Sequence, residues 1–201
     1  DNVSLLARTC QSHIQIAQVA RTQAFAGGNS LNSPRRVIKE PGYIGQEFDL
    51  ELRQDETVKL EKLVSFYTSR DHAISECRLA ARKAIAGAGR FDAIMEKHAL
   101  AWKQVWRRFD VHMQPAVASF KLNVPMLLRL NMLHLLQAVS PNSIGLDIGV
   151  PARGWTGEAY QGHIFWDELF IFPFLNYRMP EITRSLLLYR YRRLGEARAA
   201  A

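Results

Sequence analysis

Cysteine is scarce: Cys10 and Cys77 are the only two in 201 residues, with no CxxC spacing and no paired histidines. That leaves a metal site without a ligand set. Two buried free thiols in a reducing cytoplasm are expected instead. No apolar run reaches the roughly 20 residues of a membrane span. The chain opens at Asp1 without a charged-then-apolar leader, so a cytoplasmic chain whose natural start lies elsewhere, with no membrane partner, is expected. Neither GxGxxG nor a GxxxxGKS/T loop occurs, which removes a nucleotide-binding reading. Gly-x-Ser-x-Gly is also missing, and with it the serine-hydrolase elbow. Acidic residues are outnumbered, giving a net charge of +7 and a pI near 9.7. That balance could suit nucleic acid. However, the arginines cluster at Arg107–Arg108 and at Arg190, Arg192, Arg193 and Arg198, with acidic residues interspersed. These are solvated helix faces, and no nucleic-acid partner is expected.

What remains is an ordinary globular composition, 48% hydrophobic and 22% charged, long enough to bury a real core. The first 68 residues favour strands. Ser12 to Arg21 is one. Phe48, Leu50 and Leu52 alternate with charged neighbours as in a half-buried strand. Gln54-Asp55-Glu56 then turns the chain into a strand over Thr57–Thr68, with Val58, Leu60, Val64 and Phe66 on one parity. Residues 26 to 46 read as loop, with a short strand near Val37-Ile38.

The pattern turns helical after Arg70. Asp71 is placed to cap a helix carried by Cys77, Ala81 and Ile85 and ending at Gly87-Ala88-Gly89. From Phe91 to Phe109, apolar residues recur at helical spacing, a stripe read as core. Pro125 suits the first turn of a helix filled by Leu127 to Ala138 and stopped by Pro141. Its girdle of Met126, Leu127, Leu130, Leu133 and Leu136 predicts burial on most sides. A Gly- and Pro-rich loop over 140–163 is long enough to be functional. Further helices are expected from Phe165, bent near Pro173, and from Pro180 through Leu194.

The most informative stretch runs from Gly149 to Phe174. A loop carrying Arg153, Glu158 and His163 leads into adjacent Trp166 and Asp167. An indole face covers the apolar C–H patch of a pyranose, and a neighbouring carboxylate accepts hydrogen bonds from its hydroxyls. Gly154, Gly157 and Gly162 let the loop take positive φ. From residue types alone, Glu158 and Asp167 could form the carboxylate pair of a glycosidase. Arg153 could instead bridge to Glu158 and hold the loop, and His163 could satisfy a buried turn.

Ala152-Arg153-Gly154, Thr156-Gly157-Glu158-Ala159-Tyr160, Gly162-His163 and Phe165-Trp166-Asp167 resemble the signature of glycoside hydrolase family 65. That family includes maltose, trehalose and kojibiose phosphorylases and related hydrolases. Arg129-Leu130-Asn131 with His134-Leu135-Leu136-Gln137 is similar to the first helix of its catalytic barrel. Leu186 to Arg192 is similar to the next. The family commonly writes Trp-Asp-Thr-Glu where this chain has Trp166-Asp167-Glu168-Leu169.

The resemblance implies an α+β chain cut from a longer enzyme. Residues 1–70 would be the last strands of a β-sandwich, 71–124 linker helices, and 125–201 the first helices of an incomplete (α/α)6 barrel. It implies cleavage of an α-linked glucose disaccharide with inversion, by phosphate or by water, in a homodimer. It also implies no prosthetic group or metal, with inorganic phosphate as co-substrate in the phosphorylase branch. The general acid would lie C-terminal to Ala201, so no catalytic residue is assigned within the chain. Trp166 and Asp167, with Arg153 and His163, would be substrate-binding. The alternative is a non-catalytic carbohydrate-binding or interaction module.

Overall fold

The computed structural model describes residues 2–113, 123–155 and 159–201. They fall into two compact units, residues 1–100 and 101–201. The order is antiparallel strands first and helices afterwards, the expected α+β class.

In the first unit, β2 (Gln15–Ala26) is the central strand. It pairs antiparallel with β6 (Val58–Thr68) along one edge. Along the other it pairs with β1 (Asn2–Arg8) and with the short β3 (Asn29–Leu31). Gly27 and Gly28, both at positive φ, close the β2–β3 turn. Glycine reaches that conformation without steric cost.

Residues 26 to 46 are mostly strand rather than loop. β4 (Arg35–Glu40) and β5 (Tyr43–Phe48) form a hairpin across Pro41-Gly42, with Gly42 at positive φ. The Gly27-Gly28-Asn29-Ser30 and Asn32-Ser33-Pro34 clusters that suggest a loop instead turn the chain between strands, and Pro41-Gly42 supplies the next turn. The alternating stretch beyond Phe48 is not strand. β4 offers no partner past Arg35, which pairs with Phe48, and Ser33 Oγ donates to Asp49 O at 2.6 Å just beyond the pairing.

Helix α1 (Cys77–Gly87) covers one face of this sheet. Cys77, Ala81 and Ile85 are its buried residues, as its spacing predicts, and they pack with Ala17, Val19, Leu63 and Tyr67. Glu76, not Asp71, is the N-cap, accepting from the amides of Arg78 and Leu79. Asp71 instead accepts from Thr68 N and closes the turn after β6. At the other end, the Arg21 guanidinium donates to the carbonyls of Ile85, Ala88 and Gly89, where the helix ends and carbonyls lose their in-helix partners. Cys77 is buried but Cys10 is exposed, since it falls in the turn between β1 and β2.

Strand β6 places Leu63, Ser65 and Tyr67 on the inner side, where Ser65 Oγ donates to Ala81 O at 2.9 Å. Leu60, Val64 and Phe66 are exposed on the other face. Glu61, 4% exposed, lies on the inner parity. It accepts from Arg90 Nη2 at 2.9 Å and from the amide of Phe91 at 3.3 Å, with Lys59 Nζ at 3.2 Å. Phe91 begins α2 (Phe91–Phe109), so a carboxylate meets the positive end of that helix. The Arg90 guanidinium, then the Phe91 amide and the Lys59 ammonium, hold the Glu61 carboxyl at about 2. Arg90 also lies over the Phe25 ring at 3.8 Å.

The second unit gathers α3 (Val124–Ala138), α4 (Phe172–Asn176), α5 (Pro180–Arg192) and α6 (Leu194–Ala200) with the end of α2. Phe109, Leu136, Val139, Leu175, Met179, Ile182 and Leu186 form its core, with Trp102, Val105 and Trp106 against it. Phe109 and Phe174 meet at 4.9 Å, and Arg178 lies over both rings.

The stripe on α2 is therefore core only toward its end, because Phe91, Ile94 and Met95 are exposed. The girdle of α3 is likewise open at Met126, Leu127 and Leu130. Its packing partners Val139, Leu175 and Ile182 surround only the C-terminal turns near Leu136. The helix expected from Phe165 starts as a 3₁₀ segment, Trp166–Phe170, and becomes α-helical as α4, with Pro173 in the first turn rather than at a bend. α5 begins at Pro180 as expected, but Arg193 separates it from α6.

Candidate functional site

The 3₁₀ segment Trp166–Phe170 is polarised. Its third residue, Glu168, is 1% exposed, while Trp166 is 65% exposed. Burying a carboxylate is costly unless its oxygens are satisfied. Here Oε1 accepts from Val150 N at 2.9 Å and Oε2 from Arg190 Nε at 2.8 Å. Arg190 Nη2 also donates to Phe165 O at 2.6 Å. The loop can come this close only because residue 149 is glycine. A Cβ there would stand 2.5 Å from Ile164 Cδ1 and 2.9 Å from Glu168 Oε1.

With Glu168 facing inward, Trp166 and Asp167 are left on the outside. The Trp166 ring meets Phe170 edge-on at 5.3 Å. Asp167 is partly exposed and makes no hydrogen bond or ion pair among the described residues. An exposed indole face can cover apolar C–H groups of a ligand, and a neighbouring carboxylate can accept hydrogen bonds from its hydroxyls.

His163 and Arg153 reach this segment through aromatic contacts. His163 Nδ1 lies 2.7 Å from Tyr160 O, and its ring stacks on Phe165 at 6.1 Å. Tyr160 meets Phe165 edge-on at 5.4 Å, and the Arg153 guanidinium lies over the Tyr160 ring at 5.9 Å. The expected Arg153–Glu158 bridge involves a residue outside the described set.

Arg153 also lines a cleft of about 450 Å³ with His134, Gln137 and Trp155, a cleft that does not include Trp166, Asp167 or His163. The Trp155 indole is fixed by a 2.9 Å hydrogen bond from Nε1 to Ala138 O. The base of the loop is tied to α5 at Asp147, whose carboxyl Arg193 and then Arg192 hold below its ordinary range.

Sequence reasoning missed the supports: Glu168 as a buried anchor, Arg190 as its partner, and the oriented Trp155. Gly149 was the available signal, since a glycine can mark a close backbone approach, and the structure shows that it does so here outside the positive-φ region. Among the described residues, no three His, Cys, Asp or Glu side chains converge as metal ligands, and no helix is long and apolar enough to cross a membrane.

Residues 1–105 match the model of the glycosyl hydrolase family 65 N-terminal domain, and residues 129–201 that of the family 65 central catalytic domain. An uncharacterized glycosyl hydrolase of Mycobacterium tuberculosis is 41% identical over 201 residues, covering 100% of this chain and 15% of that protein. The kojibiose phosphorylase of Halothermothrix orenii is 28% identical over 207 residues, covering 98% of this chain and 26% of the relative. The trehalose 6-phosphate phosphorylase of Lactococcus lactis is 30% identical over 201 residues, covering 98% of this chain and 24% of the relative. The chain thus spans a quarter or less of most such relatives' length and meets both family models in the expected order, strands under the first and the Trp166–Asp167 segment under the second. It belongs to glycoside hydrolase family 65.

Proposed function

We propose that the protein containing this chain is an enzyme that cleaves an α-linked glucose disaccharide of the trehalose or maltose type with inversion. A carboxylic acid C-terminal to Ala201 protonates the leaving sugar while phosphate or water attacks the anomeric carbon from the opposite face. Residues 1–70 close a β-sandwich, 71–124 link, and 125–201 open an (α/α)6 barrel. The protein works in the cytoplasm as a homodimer without a prosthetic group, and inorganic phosphate is its co-substrate in the phosphorylase branch only.

The chain's own contribution is part of the glucose pocket, and Asp167 carries that reading. It is a carboxylate without a partner among the described residues, next to an exposed indole on an anchored turn. Glu168 is not a candidate acid, because both of its oxygens already accept from Val150 N and Arg190. Arg153 and His163 shape the approach through Tyr160 and Phe165.

The test is release of glucose phosphate from trehalose, maltose and kojibiose by the full-length protein, with and without phosphate. Release of glucose without phosphate assigns the hydrolase branch. Asp167→Asn removes charge-assisted hydrogen bonds worth about 1.5–3 kcal/mol and should raise KM about 10- to 100-fold. A full-length protein that binds these sugars and cleaves none would instead be a binding module.

A further inference from the structure

We infer that Arg190 is the positioning residue of the sugar contact: one guanidinium clamps the chain on both sides of Trp166–Asp167 and so sets where the indole and the carboxylate point. This rests on reading Trp166 and Asp167 as the residues that hold the sugar. Arg190 Nη2 grips the carbonyl of Phe165, the residue before Trp166. Its Nε grips the carboxylate of Glu168, the residue after Asp167. The donors of a guanidinium sit in a rigid planar fork, so two grips on one fork fix the separation of the two points they hold. The second oxygen of Glu168 is fixed in turn by Val150 N. The pair exposed for binding therefore projects from a turn whose next residue, Glu168, is held at both oxygens.

That immobilisation is needed because the turn cannot hold its own shape. Trp166–Phe170 is a five-residue 3₁₀ segment, and Phe165 supplies no side-chain cap. Such segments have poor hydrogen-bond geometry and rarely persist beyond a few residues. The chain continues as α-helix from Phe172, so relaxation toward α geometry is the nearest alternative. Going from 3.0 to 3.6 residues per turn rotates successive side chains by about 20° per residue. Trp166 and Asp167 would then no longer face one sugar together. Lysine at 190 keeps the charge but offers a single flexible point donor, which cannot make both grips.

The experiment compares Arg190→Lys, Glu168→Gln and Trp166→Ala in the full-length protein. Disaccharide KM, kcat, phosphate KM and melting temperature are measured for each. Arg190→Lys should raise the disaccharide KM about 10- to 100-fold, as expected when a contact is misplaced by an ångström. The phosphate KM should be unchanged, and Glu168→Gln should move the same constant in the same direction. Adding guanidinium ion to Arg190→Ala should restore part of the sugar affinity, which a merely structural defect would not allow. A wild-type disaccharide KM in a folded Arg190→Lys overturns the clamp, whatever Glu168→Gln does. If Arg190→Lys does not fold, Glu168→Gln alone decides. Trp166→Ala separates the two failures. An unchanged disaccharide KM there sinks the sugar reading itself, whereas a raised KM in Trp166→Ala with none in Arg190→Lys sinks only the clamp.

Discussion

Replacing Gly149 by alanine isolates the close approach of the loop to its buried anchor. Gly149 does not use the positive-φ region, so the backbone accepts alanine and the cost is steric. The new Cβ would lie 2.5 Å from Ile164 Cδ1, 3.0 Å from Ile164 Cγ2 and 2.9 Å from Glu168 Oε1. The Ile164 methyl must move by roughly an ångström to reach ordinary contact near 3.5–4.0 Å. Glu168 cannot yield, because its two oxygens are held by Val150 N and Arg190. Overpacking of this kind costs about 1–3 kcal/mol, and the stiffer unfolded chain offsets about 0.4–1 of it. The net loss of about 1–2 kcal/mol should fall on the hydrogen bond donated by Val150 N, so amide exchange in that segment of the full-length protein should quicken about 5- to 30-fold. Adding Ile164→Val, which removes Cδ1, should recover part of the protection as a positive coupling. Gly195→Ala is the control, since no atom lies within 4 Å of its added Cβ. Unchanged exchange at Val150 in Gly149→Ala, or equal acceleration in Gly195→Ala, would refute the close-approach reasoning.

Phe109 is fully buried against Phe174, so Phe109→Ala should cost about 3–5 kcal/mol in denaturant unfolding; a loss no larger than that of a surface substitution would contradict its place in the core. Glu61 titrates at about 2 rather than 4.5. A depressed folded pKa means that its stabilisation is complete above the ordinary value and is lost as pH falls from 4.5 toward 2. Melting temperatures should therefore drop across that window in the wild type and less in Glu61→Gln, and parallel profiles would remove Glu61 from the account. Met126, Leu127, Leu130 and Phe170 leave apolar surface exposed, so the 201-residue chain alone should associate in sedimentation velocity; a monodisperse monomer would show that these faces are not adhesive.

Periodicity carried most of the legible fold. The α2 stripe, the Cys77/Ala81/Ile85 face of α1 and the start of α5 at Pro180 all follow from spacing and from proline's preference for a first turn. Burial was less legible, because a stripe shows which face is apolar and not what covers it. Phe109 is covered and Ile94 is not, on the same helix. The cap of α1 was misplaced because Asp71 and Glu76 are both acidic residues ahead of one helix, and only the backbone path decides which meets the free amides. At the candidate site, Trp166 and Asp167 could be nominated from residue type. Glu168 could not be separated from them, because its burial depends on an arginine 22 residues further along the chain.

Strand β6 carries apolar residues on both faces, Leu63 and Tyr67 beneath α1 and Leu60, Val64 and Phe66 outside. Such a strand can slip by one residue and still bury hydrocarbon, so hydrophobicity alone is a poor guide to its alignment with β2. Glu61 removes that ambiguity. In a slipped pairing its carboxylate would turn outward, Arg90 would lose its counter-charge, and the first amide of α2 would lose its acceptor. The buried acid thus acts as a proofreader of strand alignment, making the wrong sheet unfavourable more than it makes the right one strong.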